Sequence, residues 1–355
     1  MALSSRRKAA VVAGAIIFAL GVGTVALVLS GAAPDSVAGA VDPLLPGDQT
    51  PPEPCPLTGV VLGGDRDAPE RPVLAVKVEN TDAAQPLVGL GAADIVYEEV
   101  VEGGITRFVA LFQCDDAERV GPVRSVRTTD PKILAPFGDH PLLAFSGGAP
   151  AVERVVRESG LAWMDETTAS TAFSRDETRA APHNLFASTK ALRGASGARV
   201  ARDEPSPEAA FSYDASISVR SRRTRTASII FSSVATAEWR WSEGRWVRLL
   251  DGQPMLLEDG RPMETDNVVI QIVHTSPSDL NGEAEFPSPE LRLTGKGKAW
   301  VLRDGRLIVG RWVRPDEGSF TTFRTRKGEE IALRPGSTFV ELAPVGMFES
   351  QVSFD

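Results

Sequence analysis

Three stretches in the first half of the chain carry polar side chains where packing alone would not call for them. The first is Tyr97-Glu98-Glu99-Val100-Val101-Glu102-Gly103-Gly104-Ile105-Thr106-Arg107-Phe108. Gly103-Gly104 reads as a two-residue hairpin turn, which sets Glu102 opposite Ile105, Val100 opposite Arg107 and Glu98 opposite Val109. The two-residue period of a strand then puts Glu98, Glu102 and Arg107 on one side of the ribbon. A guanidinium held between two carboxylates is a positioned donor; the plainer reading is a solvated edge whose ion pairs are worth under about 1 kcal/mol each. The second stretch is Val120-Gly121-Pro122-Val123-Arg124-Ser125-Val126-Arg127-Thr128-Thr129-Asp130. Its Arg124, Ser125 and Arg127 follow a Gly-Pro turn and suit a phosphate or carboxylate. The third runs from Phe173-Ser174-Arg175 through Arg179 to Pro182-His183-Asn184, where His183 could exchange a proton near neutral pH or simply be a satisfied hydrogen-bonding residue.

Taken together, Arg107, Arg124, Ser125, Arg127, Arg175, Arg179, His183 and Asn184 form a candidate anion-binding set, with Glu98 and Glu102 as orienting acids. No residue is assigned a catalytic role. The three histidines and two cysteines are too dispersed for a zinc site of the usual close-spaced kind, and no metal or cofactor is expected.

The elements that must position this set read as a mixture. Val73 to Val78, Ile95 to Val101, Phe108 to Phe112 and Leu142 to Phe145 are short runs with strand character. Pro150 to Ser159 and Leu185 to Leu192 have helical spacing. From Phe211 onward strands recur with turn signals: Ser228 to Ser233, Trp239 to Trp241, Trp246 to Leu250, Val268 to His274, Trp300 to Arg303, Leu307 to Val313 and Phe339 to Leu342. Glu243-Gly244 and Asp304-Gly305 mark hairpins there, and the tryptophans read as packing residues. Arg220, Arg222, Arg223 and Arg225 read as an exposed junction, with contact to an anionic wall polymer as the alternative.

The address comes from the N-terminus. Arg6, Arg7 and Lys8 precede the uncharged run Ala9 to Ser30, 22 residues long, about 33 Å as a helix and enough to span a bilayer. Positive charge before the run places the N-terminus in the cytoplasm and the rest outside; a secretory signal cleaved near Ala38 to Ala40 is the alternative. Seven prolines between residues 31 and 56 make a semi-extended stalk. The whole chain has net charge −9, which argues against a nucleic-acid binder that works by phosphate neutralisation. In an oxidising exterior Cys55 and Cys114 are expected to pair, closing a loop worth about 4 kcal/mol.

At these same motifs the chain resembles the YerB-like family of exported bacterial proteins, whose biochemical role is undefined. The resemblance rests on Gly89-Leu90 with Ala93-Asp94-Ile95-Val96-Tyr97-Glu98, on Glu102 to Phe108, on Gly121-Pro122-Val123-Arg124-Ser125 with Arg127, and on Arg179 with Pro182-His183-Asn184; Trp300 to Val313 and Leu333 to Phe339 extend it toward the end. It implies an α+β fold: a layered α/β N-terminal unit and a β-rich C-terminal unit. The expected organisation is an anchor over 1–30, a stalk over 31–54, an N-terminal α+β domain over 55–205 and a C-terminal β-rich domain over 211–355. Many relatives resemble lipoproteins acylated on a cysteine after the signal. Here no cysteine precedes Cys55, so the helix itself is the expected anchor.

Three functions follow. One is an envelope module that holds an anionic wall polymer or a lipid-linked precursor in an arginine cleft. The second is an enzyme similar to the LytR-CpsA-Psr phosphotransferases, which fits the spacing from Thr106-Arg107 to Arg124. Those enzymes have an aspartate directly after the arginine, whereas this chain has Ser125, with Asp130 the next acid downstream. The third is a structural or regulatory partner of other envelope proteins.

Overall fold

The computed structural model describes residues 53–63, 70–197, 209–281 and 287–355. The expected span Ala9 to Ser30 and nearly all of the proline-rich stalk lie outside the described residues, among which no helix is long and apolar enough to cross a membrane. Residues 51–355 form one compact unit.

The first half supplies β1 (Leu74–Asn80), β2 (Ile95–Val100), β3 (Thr106–Phe112), α1 (Thr129–Leu134), β4 (Leu142–Ala144), α2 (Pro150–Glu158), β5 (Ala162–Met164), β6 (Phe173–Arg175), β7 (Leu185–Ala187) and α3 (Thr189–Ser196). The second half is almost all strand. It comprises β8 (Arg222–Arg223), β9 (Thr226–Ile230), β10 (Thr236–Ser242), β11 (Arg245–Leu250), β12 (Gln253–Pro254), β13 (Glu264–Thr265), β14 (Asn267–Pro277), β15 (Pro289–Arg292), β16 (Gly295–Arg303), β17 (Arg306–Arg314), β18 (Thr322–Arg324), β19 (Thr338–Gly346) and β20 (Gln351–Phe354). The architecture is thus mixed α/β with short helices and a β-rich C-terminal region, as expected.

One large sheet, in the order β18-β17-β16-β14-β19-β2-β3-β1-β4-β5, runs through both halves of the sequence. The join is the parallel pairing of β19 with β2, from Thr338 opposite Ile95 to Leu342 opposite Glu99. Because both faces of this sheet are covered, its central strands are mostly apolar on both sides, the charged exceptions being the buried Lys77, Glu79, Glu98, Glu99, Arg107 and Glu341. One face buries Val76, Val78, Phe108, Ile270 and Phe339 against Trp239 and Trp246 of the smaller sheet β12-β11-β10-β9-β20. The other buries Ala75, Val109, Leu111, Leu143 and Phe145 against Ile133 and Leu134 of α1 and Val152 and Val156 of α2.

The hairpins at Glu243-Gly244 and Asp304-Gly305 form with positive φ at both central residues, as the sequence requires. Cys55 and Cys114 form a disulfide with a Cα separation of 6.1 Å, which ties the start of the described chain to the end of β3. Beside it the Asp94 carboxylate accepts from the Gln113 and Cys114 backbone N–H groups at 2.5 and 3.1 Å. Burial nevertheless pushes the Asp94 pKa up to about 6.

Two local expectations are corrected. Leu185 to Leu192 is not one helix: Leu185–Ala187 pair with Phe173–Arg175, and Ser188 then caps α3 by accepting from Ala191 N at 3.3 Å. The turn after β2 is also one residue longer than read. Val101 N donates to Ile105 O at 2.8 Å around the loop Glu102–Gly104, with Gly103 and Gly104 both at positive φ. Val100 therefore faces Thr106, Glu99 faces Arg107 and Glu98 faces Phe108. A one-residue slip sends every side chain to the opposite face.

Candidate functional site

The site is built where β1 outruns its neighbour. β4 pairs with β1 only as far as Val76, and the free edge beyond is taken by residues 121–124, with Glu79 N donating to Pro122 O and Arg124 N donating to Lys77 O. Gly121 permits this approach: its φ is 147°, and a Cβ there would lie 2.9 Å from Leu185 O. The Gly-Pro-Val-Arg-Ser segment is therefore an added edge strand that carries Arg124 onto the same face as Lys77, Glu79, Arg107 and Glu99.

Charge is layered on this face. At the bottom Lys77, fully buried, binds Glu99 and also Asp130 at 2.7 Å. Burial raises the Glu99 pKa against the pull of Lys77. Asp130 also accepts from Arg127 N at 2.7 Å. In the next layer Glu102 takes Arg127 through Nε at 2.7 Å and through its terminal nitrogen, and Arg107 at 3.4 Å. Burial works against the Glu102 charge, but the hydrogen bond and charge of Arg127 and the charge of Arg107 outweigh it and hold the carboxyl below its ordinary range. Burial first, and then the neighbouring Arg127, bring Arg107 down to about 10.

A third group is Glu79, Arg124 and His183. Glu79 accepts from Thr81 Oγ1 at 3.0 Å and lies 2.9 Å from His183 Nδ1 and 3.5 Å from Arg124 Nε. Arg124 donates to Pro182 O at 3.2 Å. The Arg124 and His183 side chains keep 20% and 24% of their exposure and Glu102 keeps 34%, so the cluster meets solvent at both of these groups. Across the two outer layers three guanidinium groups, Arg107, Arg124 and Arg127, share two carboxylates. The Nε atoms of Arg107 and Arg124 are buried and hydrogen-bond to no described residue.

The rest of the expected set is placed otherwise. Ser125 contributes its backbone carbonyl, which accepts from Arg107 and Arg127 at 3.3 and 3.1 Å. Asn184 accepts from Arg175 at 2.9 Å, and Arg175 also pairs with Glu166 at 2.7 Å on the surface. Arg179 donates to Ala84 O and Pro86 O and lies over the Phe186 ring. Arg175 and Arg179 are therefore spent on fold contacts rather than on the Arg124 cluster.

Glu98 is corrected outright. The longer turn puts it on the other face, where it does not orient Arg107. It binds Arg248 at 2.8 Å and accepts from Thr106 Oγ1 at 2.7 Å and Asn80 Nδ2 at 3.0 Å. Arg248 also binds Glu341 at 2.9 Å, and Trp239 Nε1 donates to Glu341 at 2.6 Å. Burial, followed by the charge of Glu98, raises Glu341 well above the usual carboxylate range. Asn80, Thr106 and Arg248 form part of the floor of a cleft of about 850 Å3 that Glu238 and Asp251 also line.

Lys77, Glu79, Arg248 and Glu341 were not singled out by the motifs. The signal for the first two was present, since Lys77 and Glu79 interrupt an apolar strand at alternate positions. Asp130, the acid an enzyme reading would recruit, is fully buried between Lys77 and the Arg127 backbone.

Two family models match the chain. "Protein of unknown function (DUF3048) N-terminal domain" covers residues 57–202 and "Protein of unknown function (DUF3048) C-terminal domain" covers residues 227–340. YerB of Bacillus subtilis (strain 168), provisionally named a lipoprotein, is 26% identical over 295 residues, or 81% of this chain and 86% of that one. The crystal structure of YerB from Bacillus subtilis shares the fold, with a TM-score of 0.71 and 24% identity over 84% of this chain and 99% of that one.

Proposed function

From the premise that the chain belongs to the DUF3048 family, we propose that it is an extracytoplasmic, membrane-attached module that binds an anionic envelope component at the Arg124–His183 edge. The attachment is the apolar run Ala9 to Ser30, in place of the lipid implied by the name of the Bacillus subtilis relative. The observation that carries the binding reading is the imbalance of the outer layers: Arg107, Arg124 and Arg127 against Glu79 and Glu102, with Arg124 and His183 reaching solvent. An oxyanion placed there would accept from guanidinium groups that are shared or loosely paired, Arg107 and Arg127 on the one Glu102 and Arg124 at 3.5 Å from Glu79, in a setting where charge-assisted hydrogen bonds are strongest. No proton transfer or bond cleavage is needed for that role.

The test uses inorganic pyrophosphate as the probe for the phosphate of a lipid-linked precursor. Arg124→Ala is expected to reduce pyrophosphate binding in calorimetry at least about tenfold. Its thermal midpoint should stay within a few degrees of wild type, because one half-buried ion pair is worth about 1 kcal/mol or less. An Arg124→Ala protein that binds pyrophosphate as wild type does, or that melts far earlier with no change in binding, would leave the cluster a structural one.

A further inference from the structure

A second concentration of positive charge lies far along the large sheet, on the face opposite the Arg124 cluster. The register puts Lys298 opposite Arg311 and Lys296 opposite Val313, so Lys296, Lys298 and Arg311 share one face, and all three are exposed. Two residues along a strand are about 7 Å apart and neighbouring strands about 5 Å apart, so the three charges lie close together. Among the described residues none of the three has an ion pair, in a chain of net charge −9. Lys298 sits over the Trp300 ring, with Nζ 5.3 Å from its centroid.

The chain that enters β16 ties this strip to a pocket. β14 pairs with β16 up to Gln271 and with β15 from His274. Near the point of exchange lies a pocket of about 290 Å3 lined by His274, Arg292, Thr294 and Arg314. Arg292 also has no ion pair among the described residues. Arg314 is nine-tenths buried; it donates to Lys132 O at 2.7 Å and to Glu317 O, but its Nε reaches no described partner. Two acids line the same pocket, and of these Glu290 is held by Lys132 and by Thr128 at 2.6 Å. From Arg292 and Thr294 in the pocket the backbone runs directly through Lys296 to Lys298 on the strip.

We infer that this face binds a linear phosphate-bearing polyanion, one group seated at His274 and Arg292 on the rim of the pocket and the following groups laid along Lys296, Lys298 and Arg311, whereas Arg314, three residues from Arg311, turns to the α1 side. Charge complementarity selects an anion, and the run from a concave pocket onto an open strip selects a chain over a single ion. A bilayer surface fits less well, since Val309 is the only strongly exposed large apolar side chain on β14 to β17 among the described residues and interfacial binding draws on apolar insertion. The site is separate from the Arg124 edge, and the inference does not rest on that reading.

The experiment titrates the full chain with sodium polyphosphate of several tens of phosphates at two salt concentrations. Wild type should bind with an affinity that falls steeply with salt, as release of counterions requires. The exposed triple variant Lys296→Ala/Lys298→Ala/Arg311→Ala should bind about tenfold or more weakly and with a shallower salt dependence, whereas Lys296→Arg/Lys298→Arg should bind like wild type. Arg124→Ala should leave polyphosphate binding intact, and the triple variant should leave pyrophosphate binding intact, so failure at one site is visible apart from failure at the other. The inference is overturned by a wild type that does not bind polyphosphate, by a triple variant that binds it equally well, or by a wild type that binds phosphatidylglycerol vesicles and not the soluble polymer.

Discussion

Neighbouring residues of one strand divide the buried charge of this molecule: Glu98 points to one face of the large sheet and Glu99 to the other. On the Glu98 side a single guanidinium, Arg248, serves two carboxylates, and burial keeps Glu341 toward its protonated form. On the Glu99 side Lys77 likewise serves two acids, but above it the balance reverses and arginines outnumber carboxylates as the cluster approaches solvent. Both faces use the same few side-chain types. What separates them is the route to water. A sealed polar network contributes through mutual satisfaction and is costly to break, whereas a layered one with its surplus on the outside can complete itself with a ligand.

The largest expected effect tests the sealed side. Arg248→Met should cost about 3–5 kcal/mol in urea unfolding at pH 7, because it leaves Glu98 and Glu341 buried without a counter-charge. A loss below about 1 kcal/mol would erase the contrast between the faces.

Glu341→Gln should cost less and change the pH profile. The folded-state pKa of Glu341 is raised, so above the ordinary glutamate value the folded protein holds a proton that the unfolded chain releases. Stability from this group is therefore present at low pH and lost as pH rises past about 4.5, the unfolded value. Glutamine has no proton to release, so the variant should lose less stability than wild type between pH 4.5 and 7. Asp94, raised to about 6, keeps some slope in both. Parallel profiles for the two proteins would mean that Glu341 is charged in the fold.

How much of this could be read beforehand follows the range of the interactions. The disulfide, the tight hairpins at Glu243-Gly244 and Asp304-Gly305, and the gathering of Arg107 and Arg127 around Glu102 with Arg124 on the same face depend on local turn chemistry or on motifs that carry their own meaning. The Gly103-Gly104 turn did not settle its own length, and that one residue decided whether Glu98 or Glu99 joined the arginines. The parallel pairing of β19 with β2 brings Glu341 beside Glu98 across some 240 residues of sequence, and no periodicity in either segment announces the partner. Arg175 and Arg179 look like site residues because they are cations near His183; only the fold shows that Glu166, Asn184 and two backbone carbonyls claim them first.

The smallest effect separates binding from architecture on the open side. Glu79 is nearly buried, accepts from Thr81 and stands against His183 and Arg124. Glu79→Gln keeps the shape and an acceptor oxygen, so the stability loss should be about 1–2 kcal/mol. The same change removes one negative charge from the rim that receives the ligand. At a separation of several ångströms, in the effective dielectric of a protein surface, that is worth ~1 kcal/mol, or about fivefold. Pyrophosphate should therefore bind more tightly to Glu79→Gln than to wild type at low salt, and the gain should shrink as salt is added. A purely structural cluster predicts the reverse: losing the carboxylate that holds Arg124 and His183 would loosen both, and any binding at this edge would weaken along with the fold.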